Sequence, residues 1–185
     1  MPALTLNKIN DVVEEFDIDA DKYSTFIESG TCDGDSINRI NQYFEVVHTI
    51  EVAPHFHQMF LNNYSHLTHV TAHLGDSSKV IPQILPTLTE DACCVFWLDG
   101  HYSSGSSGKG DKDVPLIEEC NAINETYKPD EGIVLVDDYR LFGTDDAEDW
   151  SQISVDNLLE CFTNFDVQQY VHADDMLVLY ITRKE

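Results

Sequence analysis

Basic residues are scarce in this sequence. Its 185 residues include 10 Lys and Arg against 34 Asp and Glu, which gives a formal net charge of −24 at pH 7. A surface of that sign repels phosphate backbones and anionic lipid headgroups. We therefore expect neither nucleic acid nor a membrane surface as a partner. Adaptation to high salt or a need for solubility would favour the same charge, which concerns solvation more than fold.

Long apolar runs are absent as well. No stretch approaches the roughly 18 apolar residues that would cross a bilayer, and the first residues lack the basic-then-apolar order of a secretion signal. These features predict an intracellular, cytoplasmic protein, or one in the cytoplasm of a host cell if the gene is viral.

Paired cysteines are missing too. The five cysteines are an odd number, none of them forms a CxxC pair, and two are adjacent within an apolar run. This pattern predicts reduced thiols that pack as small core residues. The five are Cys32, Cys93, Cys94, Cys120 and Cys161.

Apolar residues, by contrast, are plentiful. Hydrophobic residues make up 42% of the chain and aromatic residues 10%. The chain can therefore bury a sizeable core, which separates it from the disordered class. Its length suits one domain over 1–185, and we find no internal repeat and no linker.

Strand-like apolar runs alternate with helical periodicity along the chain. Helical spacing begins with Ile9, Val12 and Phe16 and returns at 36–44, 56–60, 78–85, 114–123 and 155–162. Strands are predicted at 24–28, 46–51, 69–72, 93–98 and 133–136, and a hairpin at 165–171 and 176–182. The order predicts an α/β fold, a Rossmann-like open twisted sheet that is mostly parallel. We expect helices on both faces and the antiparallel C-terminal hairpin at one edge.

Acidic residues follow five consecutive strands of the predicted sheet. The ligand crevice of an open parallel sheet lies beyond the carboxyl ends of its strands. We therefore expect the functional site at these positions, which are Glu28, Glu51, Asp76, Asp99 and Asp137.

The turn after the first strand, residues 28–36, reads ESGTCDGDS. Its glycines permit positive φ and close approach of a ligand, but the GxGxxG pattern of dinucleotide folds is missing. Its acids would repel a pyrophosphate and could receive a cationic amino or sulfonium group. Glu51 follows Gly30 by 21 residues, where the second strand of such a unit presents a carboxylate to ribose. The alternative is a structural turn in which Asp35 or Ser36 caps the next helix.

Three carboxylates are expected to converge where the fourth and fifth strands end. Asp99 ends the fourth strand, and Asp137 and Asp138 end the fifth. Unpaired carboxylates repel one another, and a divalent cation such as Mg²⁺ removes that conflict with oxygen ligands. The alternative is that one of the acids caps a helix or pairs with Arg140 or Lys112.

His101 follows Asp99 by two residues, at the mouth of the same crevice. A neutral imidazole there is a reasonable general base for a hydroxyl group. The Ser- and Gly-rich stretch 103–112 comes directly after, where ligand-facing loops of α/β sheets lie.

Together these motifs resemble class I S-adenosylmethionine-dependent methyltransferases over residues 23–142. The motifs are ESGTCDGDS at 28–36, TIE at 49–51, GDSS at 75–78, WLDGHY at 97–102 and VDDY at 136–139. Within that superfamily the sequence looks most similar to metal-dependent sugar O-methyltransferases of the macrocin O-methyltransferase type.

The resemblance implies S-adenosylmethionine as cofactor, with Glu28, Gly30 and Gly34 at its methionine end, Glu51 at the ribose, and Asp76 and Ser77 at the adenine. The full implied cofactor set is Glu28, Gly30, Thr31, Gly34, Asp35, Ser36, Glu51, Asp76, Ser77 and Asp99. It also implies a divalent cation, Mg²⁺, on Asp99, Asp137 and Asp138, with adjacent acceptor hydroxyls completing its coordination.

Two departures from that family pattern matter. The macrocin type has an acid where His101 stands, so the catalytic base is either His101 or Asp99. Few residues precede the first strand to build a lid. The acceptor is then larger than usual, or a partner subunit of a homo-oligomer supplies the lid.

The hypothesis is methyl transfer to a sugar hydroxyl of a glycan or nucleotide sugar. One alternative is a catechol-type phenol O-methyltransferase, for which Trp97, Tyr102 and Phe142 would wall the acceptor pocket. Another is a non-catalytic acidic α/β module that binds a divalent cation or a glycan. A dinucleotide oxidoreductase is disfavoured by the missing GxGxxG pattern.

Overall fold

Seven strands form one sheet in the computed structural model, which describes residues 4–103, 107–145 and 148–185. The strand order is β3-β2-β1-β4-β5-β7-β6. Strands β1 to β5 run parallel, and β7 is antiparallel to both of its neighbours. The bounds are β1 Thr25–Ser29, β2 Val46–Glu51, β3 Val70–Leu74, β4 Cys94–Leu98, β5 Glu131–Val136, β6 Phe165–His172 and β7 Met176–Arg183. This confirms the predicted mostly parallel sheet with an antiparallel hairpin at one edge.

Six α-helices accompany the sheet in the described part of the chain. They are α1 Leu6–Phe16, α2 Asp35–Ile40, α3 Pro54–Tyr64, α4 Ser77–Ile84, α5 Leu116–Thr126 and α6 Val155–Cys161. Among the described residues, no helix is both long enough and apolar enough to pass through a membrane.

The helices cover both faces of the sheet, as predicted. Alternating side chains of β4 show this, because Phe96 and Leu98 join a core with α4, α5 and α6, whereas Val95 and Trp97 join one with α1, α2 and α3. Strands buried on both faces explain the nearly continuous apolar runs of β4 and β5.

Helix α2 is shorter than the predicted 36–44. It ends at Ile40, and a 3-10 turn follows at Asn41–Tyr43. The Asn41 side chain donates to the Ile37 carbonyl at 2.7 Å, and Phe44 adopts an extended backbone. The Phe44 ring packs on Phe26 with centroids 5.2 Å apart. The apolar spacing of 37, 40 and 44 therefore comes from a helix followed by a turn.

The cysteine prediction holds for four of the five residues. All five thiols are free, and four are buried. Cys32 is exposed, because it lies in the turn after β1 with a left-handed backbone (φ 47°). The prediction that it packs in the core was wrong.

The sheet places its crevice between β1 and β4. From β1 the chain crosses to β2 on one side, whereas β4 pairs with the other side of β1. Connections that leave in opposite directions open a gap at the carboxyl ends of such strands. The acidic strand ends therefore gather around one gap.

Candidate active site

Two glycines shape the turn after β1. Gly30 has φ +85°, and a β carbon built there would lie 2.8 Å from the carbonyl carbon of Asp99 and closer still to its oxygen. Gly34 has φ +81°, and its β carbon would lie 2.7 Å from the Tyr64 ring and 2.8 Å from the Phe60 ring. Residues with side chains rarely adopt this backbone and would not fit this space. The ends of β1 and β4 therefore meet at a position that requires glycine.

Glu51 ends β2 and is buried at the same turn. Its Oε2 accepts from the Cys32 backbone N–H at 2.8 Å, and its Oε1 accepts from the Ala53 N–H at 2.8 Å. The carboxylate thus joins the loops that follow β1 and β2 and faces the crevice, as its strand-end position predicted.

Glu28 lies deeper, in the centre of the sheet. Its Oε2 accepts from the Thr49 hydroxyl at 2.7 Å, and the Thr49 and Thr31 hydroxyls are 2.5 Å apart. Burial raises the pKa of Glu28 to about 8, and the hydrogen bond from Thr49 offsets only part of that rise. Glu28 is therefore protonated at neutral pH, and it is linked to the turn through the hydroxyl groups of Thr49 and Thr31.

One cleft joins these elements and holds about 610 Å³ of space, counting its open mouth. Of the predicted site residues, those that line it are Gly30, Glu51, Ser77, Asp99 and His101.

Other predicted cofactor residues lie around this cleft. Asp35 pairs with Arg39 at 3.0 Å on the surface, and the Ser36 hydroxyl accepts from the Leu4 N–H at 3.3 Å. Asp76 caps the first turn of α4, where its Oδ1 accepts from the Ser78 N–H at 3.1 Å. The cofactor roles of all the predicted residues, both those that line the cleft and those around it, stay predictions.

Asp99, His101 and Asp138 form a group of side chains that could hold a metal ion. One ligand atom from each lies within 4.8 Å of the other two. His101 Nδ1 is 3.6 Å from Asp99 Oδ1, and His101 Nε2 is 3.3 Å from Asp138 Oδ2. The structure therefore brings Asp99 and Asp138 together, as expected, with His101 between them.

Asp137 was expected in the same group but lies outside these three. Its backbone N–H donates to the Leu98 carbonyl at 3.2 Å, and its carboxyl senses the charge of Lys8 in α1. Asp138, the next residue, turns into the left-handed region with φ 56°. That turn aims Asp138 at His101. Metal binding by Asp137 stays a prediction.

Burial and mutual repulsion govern the charge state of this group. Burial raises the pKa of Asp99 well above its usual value, and the charges of Asp137 and Asp138 add to the rise. Burial also raises the pKa of Asp137 to about 6. For His101, burial lowers the pKa, although the Asp138 charge opposes this. The imidazole is therefore neutral and able to accept a proton at neutral pH.

Arg140 supplies part of the compensating charge. Its Nη1 is 2.5 Å from Asp138 Oδ1 and also pairs with Asp175 in the β6–β7 turn. The alternative pairing expected for Arg140 is thus present, whereas Lys112 pairs with Glu118 instead. Three buried carboxylate oxygens here still complete no hydrogen bond in the described structure, namely Asp99 Oδ1, Asp137 Oδ2 and Asp138 Oδ2.

Aromatic rings border the group. Trp150 meets the His101 ring edge-on with centroids 4.9 Å apart, and Phe142 stacks on Trp150 at 6.1 Å. Phe142 was an expected wall residue, but Trp150 was not, because the irregular loop after β5 carries no periodicity that would place it. Trp97 was also expected there and is instead buried in the opposite core, so that expectation was wrong.

No protein-family model and no curated protein sequence matches the chain. Its fold matches many solved structures. One is a candidate rRNA methylase from Clostridium thermocellum, with 14% identity, 100% of both chains covered and a TM-score of 0.63. A second is a candidate caffeoyl-CoA O-methyltransferase from Staphylococcus aureus, with 15% identity, 98% of this chain and 84% of that chain covered and a TM-score of 0.62.

A third is a candidate methyltransferase from Streptococcus mutans solved with S-adenosylhomocysteine (SAH), with 12% identity, 100% of both chains covered and a TM-score of 0.59. At such identities the likeness concerns the fold. The chain therefore has the Rossmann-like fold of S-adenosylmethionine-dependent methyltransferases.

Proposed function

We propose that this protein is an S-adenosylmethionine-dependent O-methyltransferase that methylates a sugar hydroxyl with the help of a divalent cation. The observation that carries the proposal is the convergence of Asp99, His101 and Asp138 within 4.8 Å. Asp99 and His101 also line the cleft at the Gly30 turn, at the switch point of the sheet.

The cleft suits a cationic cofactor with ribose hydroxyls. S-adenosylmethionine would supply an electrophilic methyl group on a sulfonium centre. Gly30 lets the β1–β4 gap accept a ligand closely, Glu51 presents a carboxylate to hydroxyls, and the Asp99 carboxyl group lines the cleft. Asp76 and Ser77 belong to the adenine end in this proposal.

The acidic group suits a divalent cation. Buried carboxylate oxygens of Asp99, Asp137 and Asp138 complete no hydrogen bond in the described structure, and burial, with added repulsion from Asp137 and Asp138, raises the pKa of Asp99. Oxygen donors of this kind are those that Mg²⁺ prefers. A bound cation would lower the pKa of an acceptor hydroxyl and fix its direction. Asp99 and Asp138 are the proposed ligands, with Asp137 as the third carboxylate.

His101 is the proposed general base. Its neutral imidazole accepts the hydroxyl proton while the acceptor oxygen forms a bond to the methyl carbon. S-adenosylmethionine, when bound, would supply the methyl group from its sulfonium centre, with the electron pair of the broken carbon–sulfur bond left on sulfur. The imidazolium formed is stabilised by Asp138, whose Oδ2 is 3.3 Å from Nε2. Positioning of the two reactants supplies much of the remaining acceleration.

The acceptor is proposed as a small molecule or glycan that carries a sugar hydroxyl, such as a nucleotide sugar. Several structural neighbours are named for rRNA, but a net charge of −24 repels a nucleic acid backbone. A phenol is the second candidate, because Trp150 and Phe142 stack beside His101 and one neighbour is named for caffeoyl-CoA. Aromatic walls are what a phenol pocket calls for.

Two measurements test the proposal. Calorimetry of the full chain with SAH should show binding, since a metal- or glycan-binding module has no reason to recognise that ligand. Transfer of labelled methyl from S-adenosylmethionine should then be measured on nucleotide sugars, free glycans and catechols, with and without a chelator. We expect sugar methylation that stops on chelation and returns with Mg²⁺. Absence of SAH binding would refute the proposed methyltransferase activity. Methyl transfer that a chelator does not affect would refute the role of the metal. Transfer to catechols alone would select the phenol alternative.

A further inference from the structure

A segment after β4 lies across the cofactor cleft. We call residues 107–111 the strap. A β carbon built on Gly108 would lie 2.5 Å from Val52 Cγ1 and 2.8 Å from the Ala53 backbone nitrogen. A β carbon on Gly110 would lie 2.5 Å from Asp76 Oδ2. Only a glycine backbone packs this closely, so the strap is fitted to the loops that follow β2 and β3.

Asp76 is bound to the strap and to its own helix. Its Oδ2 accepts from the Asp111 N–H at 3.0 Å, and its Oδ1 accepts from the Ser78 N–H and hydroxyl at 3.1 and 2.6 Å. Burial acts to raise the pKa of Asp76, but these hydrogen bonds and the Lys79 charge outweigh it, and the pKa lies below its usual value. Both oxygens of the carboxylate therefore already hold protein donors.

Further contacts hold the strap at both ends. Ser107 Oγ accepts from the Ser103 N–H at 3.0 Å, and Lys79 Nζ pairs with Asp111 at 2.5 Å. Beyond the strap, the Tyr102 N–H donates to the Asp113 carbonyl at 2.7 Å. Ser107 and Gly108 form one wall of the cleft that Glu51 also lines. The strap thus borders the cleft beside Val52, which also lines it.

We propose that Asp76 is a positioning residue, whose carboxylate holds the strap over the adenine end of the cleft instead of binding the purine amino group itself. The inference rests on the proposed function. It assigns retention of the cofactor to the strap, with Asp76 acting through the Asp111 N–H.

The test compares two ligands that differ at position 6 of the purine, where a carbonyl with a proton on N1 replaces the amino group. SAH carries that group, and S-inosylhomocysteine carries an oxygen in its place. Asp76→Ala should weaken both ligands by the same factor, roughly 10- to 100-fold for a charged hydrogen bond lost. The ratio of the two dissociation constants should stay at its wild-type value, and stopped-flow traces should show faster dissociation. A ratio that moves toward one in Asp76→Ala would assign the amino group to Asp76 and overturn the proposal.

A second variant separates the strap from the helix cap. Gly110→Ala leaves the Ser78 hydrogen bonds of Asp76 in place but puts a methyl group 2.5 Å from its Oδ2. We expect the same equal loss for both ligands, and a double variant that loses less than the two single factors multiplied. Wild-type affinity in Gly110→Ala would contradict the proposal.

Hydrogen exchange supplies a ligand-free measurement. In Asp76→Ala the amides of 107–111 should exchange faster than in the wild type, and unchanged protection would also overturn the inference. A wild-type protein that binds neither ligand refutes the proposed function itself. Changed ligand selectivity in Asp76→Ala refutes only the role of Asp76, so the two failures are distinguishable.

Discussion

His101 lies between two carboxylates, yet burial keeps its imidazole neutral. If it is the base, His101→Ala should lower kcat by roughly 10²–10⁴-fold and leave the dissociation constant of the metal unchanged. Asp138→Asn should weaken metal binding and lower kcat together, because it removes the charge of a proposed metal ligand. Metal titration by calorimetry and steady-state kinetics would measure both effects.

The control for this pair is Asp166→Asn, an exposed acid of β6 that changes the net charge equally. It should leave both quantities at the wild-type value. If His101→Ala weakens metal binding as much as Asp138→Asn does, His101 is a metal ligand. Asp99 then becomes the first candidate for the general base.

Gly30 offers a second residue-level prediction. Gly30→Ala forces an alanine to φ +85° and drives its methyl group into the Asp99 backbone, so we expect the free energy of unfolding to fall by more than about 2 kcal/mol and SAH binding to be lost. Gly143→Ala is the matched control, because Gly143 has φ +76° with nothing within 4 Å. It should cost only the backbone strain, roughly 1 kcal/mol. Equal losses in urea denaturation would show that the close approach to Asp99 has no energetic role.

Strand-end reasoning expected Asp99 and Asp138 to converge, and the structure brings them together with His101. The pattern of a parallel sheet says which residues leave a strand, and it does not say how the backbone turns afterwards. Here a left-handed turn at Asp138 brings that residue to His101, whereas Asp137 lies outside the group of three, and its charge adds to the burial that raises the pKa of Asp99. Trp150 lay beyond sequence reasoning for a similar reason, because its loop has no repeating geometry.

At the scale of elements, α5 carries an unusual buried acid. Glu119 is fully buried, and neither of its carboxylate oxygens completes a hydrogen bond in the described structure, although the Ser77 and Ser29 hydroxyls lie near enough to moderate its pKa. Burial raises the pKa of Glu119 to about 7, above its value of 4.5 in an unfolded chain. The folded state therefore holds a proton that the unfolded state has lost, and stability falls as pH rises from 4.5 to 7.

Glu119→Gln should remove that dependence. We expect the variant to gain roughly 2–3 kcal/mol of unfolding free energy over the wild type as pH goes from 5 to 8, measured by urea denaturation at each pH. Glu118→Gln is the control, since Glu118 lies on the same helix and pairs with Lys112 near the surface. If the difference in unfolding free energy between the wild type and Glu119→Gln is the same at every pH, the raised pKa of Glu119 is contradicted.

Most elements could be predicted because burial on both faces leaves a strong apolar signal. Strands β6 and β7 illustrate how the burial of a strand follows its place in the sheet. In β6 only Phe165 is buried and the other residues are exposed or half-buried, whereas β7 is buried along most of its length, which matches an edge strand and an inner strand. The end of α2 was missed because the same apolar spacing fits a continuous helix as well as a helix followed by a turn.

For the whole molecule, the net charge of −24 is the dominant electrostatic feature. Self-repulsion of that size should destabilise the fold at low salt, and screening should relieve it. We expect Tm to rise by roughly 3–8 °C between 10 mM and 500 mM NaCl, with KCl giving the same rise. A Tm that is independent of ionic strength would show that the acids are spaced or paired so that they do not repel.

Strand β7 follows β6 in the chain but lies between β5 and β6 in the sheet. During synthesis one edge of β5 therefore stays unpaired until residues 176–183 have left the ribosome. Strand β6 also has no partner strand before then. Until then β5, the strand that precedes Asp137 and Asp138, is paired with β4 alone. Nascent chains that stop before Met176 would carry every proposed ligand and still lack a finished site, and their open edge would invite aggregation.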